Sequence, residues 1–414
     1  MKKRKTHGTN KQQTLEKKKN LNVCVGSIGE DIIFQEILPR LPVKSIFRFK
    51  LVCKKWLNLF THDPLFPKHH HEKISRPNRN IAASSNFLSY GSRSLFIFND
   101  DHTDQFELQA PRFMTGLRDQ VMGSTNGFIY GVCSDSQKIF ICNPITNHAV
   151  FIHNPKKHLS IAVACDPYDP NFGFTIVSHF IRKKNDDINN SVLQFEVYSS
   201  KTSKWRVSRN GSDVPVPSHY YSFLMLQPVF NGGKVFWALK NDILWFDVDK
   251  DVGGVIECPD NNNLRPRWNL YVIDIGVCDG DVSFSMITKQ EEIEIWLLRD
   301  NRNEEFEWVK KHTVNLQRII AENWNIMSEI YSIVNVGELH EIAKNLAFRG
   351  YVKTLPYSGG EVMGFIINIT YDKKVLFFNL VTQELKVICV ICDYMIKHPF
   401  RLYPFVPTLL PCPT

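Results

Sequence analysis

No apolar run in this 414-residue chain approaches the roughly 20 residues that a membrane-spanning helix needs, so no membrane partner is expected. The basic N-terminus has no hydrophobic stretch behind it, which argues against a secretory signal. Three glycosylation sequons, at Asn189, Asn210 and Asn368, then read as chance matches. Ten cysteines are too few for a disulfide scaffold. Most sit within apolar runs, such as Cys142 in IFICNP and Cys278 in DIGVCDG, and read as small buried hydrophobes in a reducing compartment.

Catalytic signatures are missing as well. There is no GxSxG elbow, P-loop, GxGxxG or HExxH. His340-Glu341-Ile342-Ala343-Lys344 lacks the second histidine of a zinc helix, and Ser124 in GSTNG is misplaced for a nucleophile. Asn126-Gly127 suits a turn before a strand at residues 128–132. His62 and His69–His71, read as part of a flexible loop, do not converge on a metal. Cys389 and Cys392 have CxxC spacing, but in the strand-like run VICVIC they point to opposite faces. Asp166, Asp169, Asp274, Asp279 and Asp281 stand in turn-like contexts and read as turn caps. The expectation is a chain with no catalytic residue, no metal and no cofactor.

Charge is present but unevenly placed. The formal net charge is +8, yet residues 1–20 hold eight bases and one acid. The remainder is nearly neutral, which disfavours a nucleic-acid-binding fold. Lys2, Lys3, Arg4 and Lys5 form one basic cluster and Lys17, Lys18 and Lys19 a second. This spacing matches a bipartite nuclear-import signal read by an importin, the alternative being a solubilising tail. Residues 1–27 read as a disordered basic tail, and the expected location is nucleus and/or cytoplasm.

Residues 28–70 change character. Ile33, Ile37 and Leu41 recur at helical spacing, Pro39 and Pro42 interrupt the first helix, and Pro42 suits the first turn of a second. A third helix carries Trp56 and Phe60 and ends at Asp63-Pro64. Three short helices in about 40 residues cannot bury this much apolar surface among themselves, so a partner chain or the next domain must cover the excess.

From about residue 85 to 410 the period falls to two. Apolar strands ending near Cys142, Tyr198, Phe246, Trp296 and Phe378 are each followed by a turn and a second strand, with a looser copy in SLFIFNDDHTDQFEL. A spacing near 50 residues is that of four-stranded propeller blades. Five clear repeats and one loose one lead to an expectation of six blades. Ile320, Trp324, Met327, Tyr331 and Val334 follow helical spacing, so residues 317–347 read as a helical insertion. The fold class is therefore mostly β with a small α domain. Arg265, Arg267 and Trp268, in NNNLRPRWN, are candidate target-binding residues on a surface loop.

The segment IGEDIIFQEILPRLPVKSIFRFKLVCKKWLNLFTHDPLFPKHH resembles an F-box, particularly the plant type. CNPITN, DPYDP, EVYSSKTSKW and YPFVPTLLPCPT are similar to the F-box-associated or kelch-like propeller that follows it in plant families. The resemblance implies a non-catalytic substrate receptor. Its F-box would dock on the Skp-type adaptor of an SCF ubiquitin ligase and, through it, on a cullin scaffold and a RING subunit, while the propeller holds a target protein. It places Ile28, Ile32, Ile33, Ile37, Leu38, Leu41, Pro42, Leu51, Val52, Cys53 and Trp56 on the adaptor face. Gly29 stands where the family has proline, which implies weaker adaptor binding by about 1 kcal/mol. Alternatives are an F-box scaffold acting outside ubiquitination, and a propeller enzyme or small-molecule-binding module.

Overall fold

The computed structural model describes residues 29–75, 87–90, 94–98, 106–109, 120–133, 136–154, 160–166, 173–184, 187–209, 214–216, 227–239, 242–259, 273–300, 305–331, 352–355, 362–368, 372–392 and 402–413. The basic clusters of the tail, Ile28, and Arg265, Arg267 and Trp268 lie outside them. The chain divides into two compact units, residues 1–74 and 75–414. The first is helical and the second is a β-propeller.

Among its described residues the helical unit has four helices: α1 (residues 30–40), α2 (Val43–Phe49), α3 (Lys54–His62) and α4 (Phe66–Ser75). Pro39 has no N–H to give to the carbonyl four residues back, and α1 accordingly widens to a π turn and closes in a 3-10 turn. Pro42 is the N-cap of α2, one position earlier than expected. The fourth helix corrects the reading of His69–His71 as a flexible loop. Asp63 both ends α3 and starts α4, because its Oδ1 accepts the N–H groups of Leu65 (2.8 Å) and Phe66 (3.3 Å).

Five blades are each made of four consecutive antiparallel strands. Blade 1 is Gln120–Thr125, Phe128–Val132, Lys138–Asn143 and His148–His153. Blade 2 is Ile161–Cys165, Phe174–Lys184, Asp187–Ser199 and Lys204–Val207, with Val214–Pro215 added beside its third strand. Blade 3 is Val229–Asn231, Lys234–Ala238, Asp242–Asp247 and Val252–Glu257. Blade 4 is Ile273–Cys278, Asp281–Ile287, Glu292–Asp300 and Phe306–Asn315. Blade 5 is Val352–Thr354, Val362–Asn368, Asp372–Asn379 and Leu385–Cys392. Among the described residues the expected six blades are thus five. The loose copy, Ser94–Phe98 with Phe106–Gln109, belongs to a composite sheet in which Phe87–Tyr90 pairs with Leu402–Pro404 from the other end of the chain.

The repeat has a local cause. Asn143, Asp247 and Asn379 end the third strands of their blades, and each Oδ1 accepts the N–H groups two and three residues on. Four residues past the strand end, Asn147, Ser203, Asp251 and Gln383 all have positive φ, between 52° and 61°. The apolar anchors Cys142, Tyr198, Phe246 and Phe378 are the residues just before these strand ends. Trp296 is different: its strand runs on to Asp300 past a bulge. The first two strands of blades 1, 3 and 4 turn through Asn126-Gly127, Gly232-Gly233 and Asp279-Gly280, all with both φ positive, as two-residue type I′ turns require.

Facing blades bury their apolar side chains between them. Ile139 and Ile141 share a core with Ile161 and Ile176, Leu193 and Phe195 with Val235 and Phe246, Ile243 with Phe284, and Ile293 and Ile295 with Phe365 and Phe378. The outer strands of blades 2 and 4 are pinned to the blade before. The Trp205 indole donates to the His153 carbonyl of the preceding blade (3.0 Å), and Trp308 does the same to Glu257 (2.9 Å). Two helices, α5 (Leu316–Glu322) and α6 (Trp324–Tyr331), form the start of the expected insertion. Residues 332–347 of it lie outside the described residues. Asn323 breaks the predicted stripe: Ile320 and Met327 are buried, and Trp324 is exposed. Its amide binds Ile319 and Gln383 carbonyls and accepts from Leu385 N–H, which seats the pair on blade 5.

The C-terminal segment lies on blade 1. Tyr403 donates to the Val121 carbonyl (2.6 Å), and the wholly buried Asn143 amide donates to the carbonyls of Thr408 (2.9 Å) and Leu410 (2.7 Å). Asn143→Ala strands these two carbonyls together with the two turn N–H groups, and is expected to lower stability by about 3 kcal/mol or more in urea unfolding. Asn143→Asp keeps the turn but sets an acceptor against two carbonyls. It is expected to lose at least as much, and an Asp variant as stable as the parent would refute the closing role of this amide.

Candidate functional site

The helical unit sorts its apolar residues into two sets. Leu38, Val43, Ile46, Phe60 and Phe66 are buried, and His70 and His71 are buried with them. Phe60 meets Phe66 edge-on at 5.0 Å, and Phe66 lies 6.0 Å from the His70 ring. The His70 Nε2–H donates to the Leu41 carbonyl (3.0 Å), tying the turn before α2 to α4. The second set faces outward. Leu51 is 89 % exposed, Val52 59 % and Ile32 53 %, with Ile37, Phe47, Leu57 and Leu65 also exposed. Stable folds leave single apolar residues at the surface, but seven on so short a helical unit call for a partner.

Of the residues expected on the adaptor face, Ile32, Ile37, Pro42, Leu51, Val52 and Cys53 are exposed, and Ile33, Leu41 and Trp56 are half-buried. Trp56 leans on Phe49 at 5.2 Å, so part of its ring is used inside the unit. Leu38 is a correction. At 1 % exposure it is core, because the 3-10 turn at residues 38–40 rotates it inward. Phe47, Leu57 and Leu65 were missed. The signal was there for two of them: Phe47 follows Ile46, and Leu57 follows Trp56. Neighbours on a helix point about 100° apart, so only one of each pair can face the same core.

The chain matches the F-box domain over residues 31–68 and the F-box associated beta propeller domain over residues 118–335, more than half its length. It belongs to the plant F-box proteins with a C-terminal propeller. The F-box protein At5g07610 of Arabidopsis thaliana is 25 % identical over 316 residues, 70 % of this chain and 71 % of its own. The F-box protein At1g30790 of the same plant is 25 % identical over 304 residues, 67 % and 72 % of the two chains. Among solved structures, a chain of a nidogen/laminin complex overlaps 78 % of this chain and 99 % of its own, with a TM-score of 0.37 and 11 % identity.

Gly29 is the N-cap of α1, with φ −55° and ψ 139°. These are proline's own angles, and a Cβ placed there meets nothing within 4 Å. Glu30 and Asp31 follow in the first turn, where the helix dipole favours acids. Gly29→Pro is therefore expected to raise F-box stability by about 0.5–1 kcal/mol through a less free unfolded chain. A thermal melt no higher than the parent's would count against it.

Burial pushes the His70 imidazole down to about 4, so it is neutral in the fold. Unfolded, a histidine takes up its proton near 6.5. The contribution of the neutral ring is complete above pH 6.5 and is lost as pH falls toward 4, by about 3 kcal/mol in all. His70→Gln can still donate to Leu41 but does not titrate. Stability measured between pH 6.5 and 4 should fall less steeply in this variant; identical slopes would exclude His70 as the group responsible.

Proposed function

We propose that this chain is the substrate-recognition subunit of an SCF-type ubiquitin ligase. The F-box docks on a Skp-type adaptor, which links it to a cullin scaffold and a RING subunit, and the propeller holds a target protein. The observation that carries this reading is the exposed Leu51-Val52-Cys53 connection between α2 and α3, with Ile32, Ile37, Phe47 and Leu57 also exposed on the same unit. Leu51 and Val52 would fill apolar pockets of the adaptor and Trp56 would act as a rigid anchor.

No chemistry is asked of this chain. Ubiquitin transfer belongs to other subunits, and the receptor accelerates it by holding target lysines at high effective concentration. Arg265, Arg267 and Trp268 are proposed target contacts, and the clusters at residues 2–5 and 17–19 a nuclear-import signal for an importin. Deleting residues 2–19 should shift the protein from nucleus to cytoplasm without altering adaptor binding.

The docking reading is tested by co-purification with a Skp-type adaptor. Leu51→Asp with Val52→Asp is expected to weaken adaptor binding at least about 100-fold, since each pocket filled by an apolar side chain contributes about 1.5–3 kcal/mol. The melting temperature should not drop, as both positions face solvent. Leu38→Ala should do the opposite, lowering stability by about 2–5 kcal/mol as core truncations do. Unchanged adaptor binding by the double variant would overturn the assignment.

A further inference from the structure

Between Ile37 and His62 the chain carries six bases, Arg40, Lys44, Arg48, Lys50, Lys54 and Lys55, and no acid. Most acids of the helical unit are already engaged. Glu30 pairs with Lys55 at 2.8 Å, Glu36 holds both Arg40 and Lys73, and Asp63 caps α4. The hydrogen bonds to Arg40 first and to Lys73 second lower the Glu36 carboxyl from its ordinary value, so it stays charged. Arg48 and Lys54 are exposed and have no acidic partner among the described residues. Lys50 lies 5.0 Å over the Phe47 ring, one of the exposed aromatics. Along the chain Phe47, Leu51 and Val52 thus alternate with Arg48, Lys50 and Lys54, of which Arg48 and Lys54 have no acidic partner among the described residues.

We propose that this face is steered electrostatically onto an acidic surface that rims the apolar groove of its adaptor. The inference rests on the adaptor reading above and adds the chemistry of the partner's surface. Exposed rim charges act chiefly on the association rate, while the apolar centre sets the dissociation rate. A folded protein fits better than an anionic membrane. The apolar residues come from two helices of seven and nine residues and the turn between them, whereas an interfacial membrane helix offers one long continuous face.

Stopped-flow association of the full chain with a purified Skp-type adaptor, at 50 and 300 mM NaCl, tests it. The association rate is expected to fall about tenfold at the higher salt, with the dissociation rate nearly constant. Arg48→Glu with Lys54→Glu should slow association about tenfold at 50 mM NaCl and remove most of the salt dependence. Circular dichroism and the melting temperature of this variant should match the parent's. A double variant that associates as fast as the parent overturns the steering while leaving the adaptor reading intact. A parent that binds no adaptor at either salt overturns the adaptor reading itself. Tighter binding to phosphatidylserine–phosphatidylcholine vesicles than to the adaptor overturns the proposal in favour of a membrane surface.

Discussion

One buried side-chain amide, that of Asn143, sits where the propeller has to be held shut. The segment it holds is rich in proline: Pro404, Pro407, Pro411 and Pro413 each lack an N–H, so residues 405–413 cannot continue as a ladder strand. Their carbonyls still need donors once buried. Asn143 supplies both N–H groups to Thr408 and Leu410 while its oxygen closes its own turn, so all its strong hydrogen-bonding capacity is used. Cys412 adds a weaker link, its thiol 2.8 Å from the His148 carbonyl; burial lifts that thiol to about 11, which keeps it the protonated donor. Gly127 completes the seat. A Cβ there would run into the Val406 carbonyl and the Thr408 side chain, so the same residue that makes the type I′ turn of blade 1 also leaves room for the segment.

The separation in sequence, 265 residues from Asn143 to Thr408, is less of an obstacle than it looks. Closure entropy grows only with the logarithm of loop length, about 0.6 kcal/mol per doubling. Blades stacked in order bring the two ends together at little extra cost, provided each blade packs on the next. The indoles of Trp205 and Trp308 make this packing link at two junctions, blade 2 to blade 1 and blade 4 to blade 3, and Arg206 adds a paired bond to Asp251 in the turn of the following blade. The last contact then needs specific hydrogen bonds more than a large apolar area.

Much of the propeller was legible because its periodic signal is local. An Asn or Asp at a strand end caps the turn with its own side chain, and an αL residue four positions on finishes it; both leave a mark within about six residues. The composite sheet had no such mark, since Leu402–Pro404 and Phe87–Tyr90 find each other only through the assembled blades. The long third strand of blade 4 misled for a related reason. Its apolar run ends near Trp296 and Leu298, but polar Arg299 and Asp300 still pair with Glu307 and Phe306, so hydrophobicity stopped before the strand did. In the F-box, three adjacent histidines looked polar and irregular, yet Asp63 starts a helix there and one of those rings ends up as a hydrogen-bonding part of the core.

The F-box shows why burial and function had to be separated residue by residue. The family resemblance puts Leu38, Leu41, Leu51 and Trp56 alike on the adaptor face, and nothing in it says which of them the unit keeps for itself. The turn geometry decides. Pro39 forces α1 through a π turn into a 3-10 turn, which sends Leu38 inward and lets the His70 ring take the Leu41 carbonyl. The connection after α2 has no such tie, and Leu51 and Val52 are left in solvent. Apolar side chains held outward beside Arg48 and Lys54, which have no acidic partner among the described residues, do not help this unit fold. Their arrangement makes sense as the complement of a second surface, one that is apolar where Leu51 would enter and negatively charged where Arg48 and Lys54 would lie.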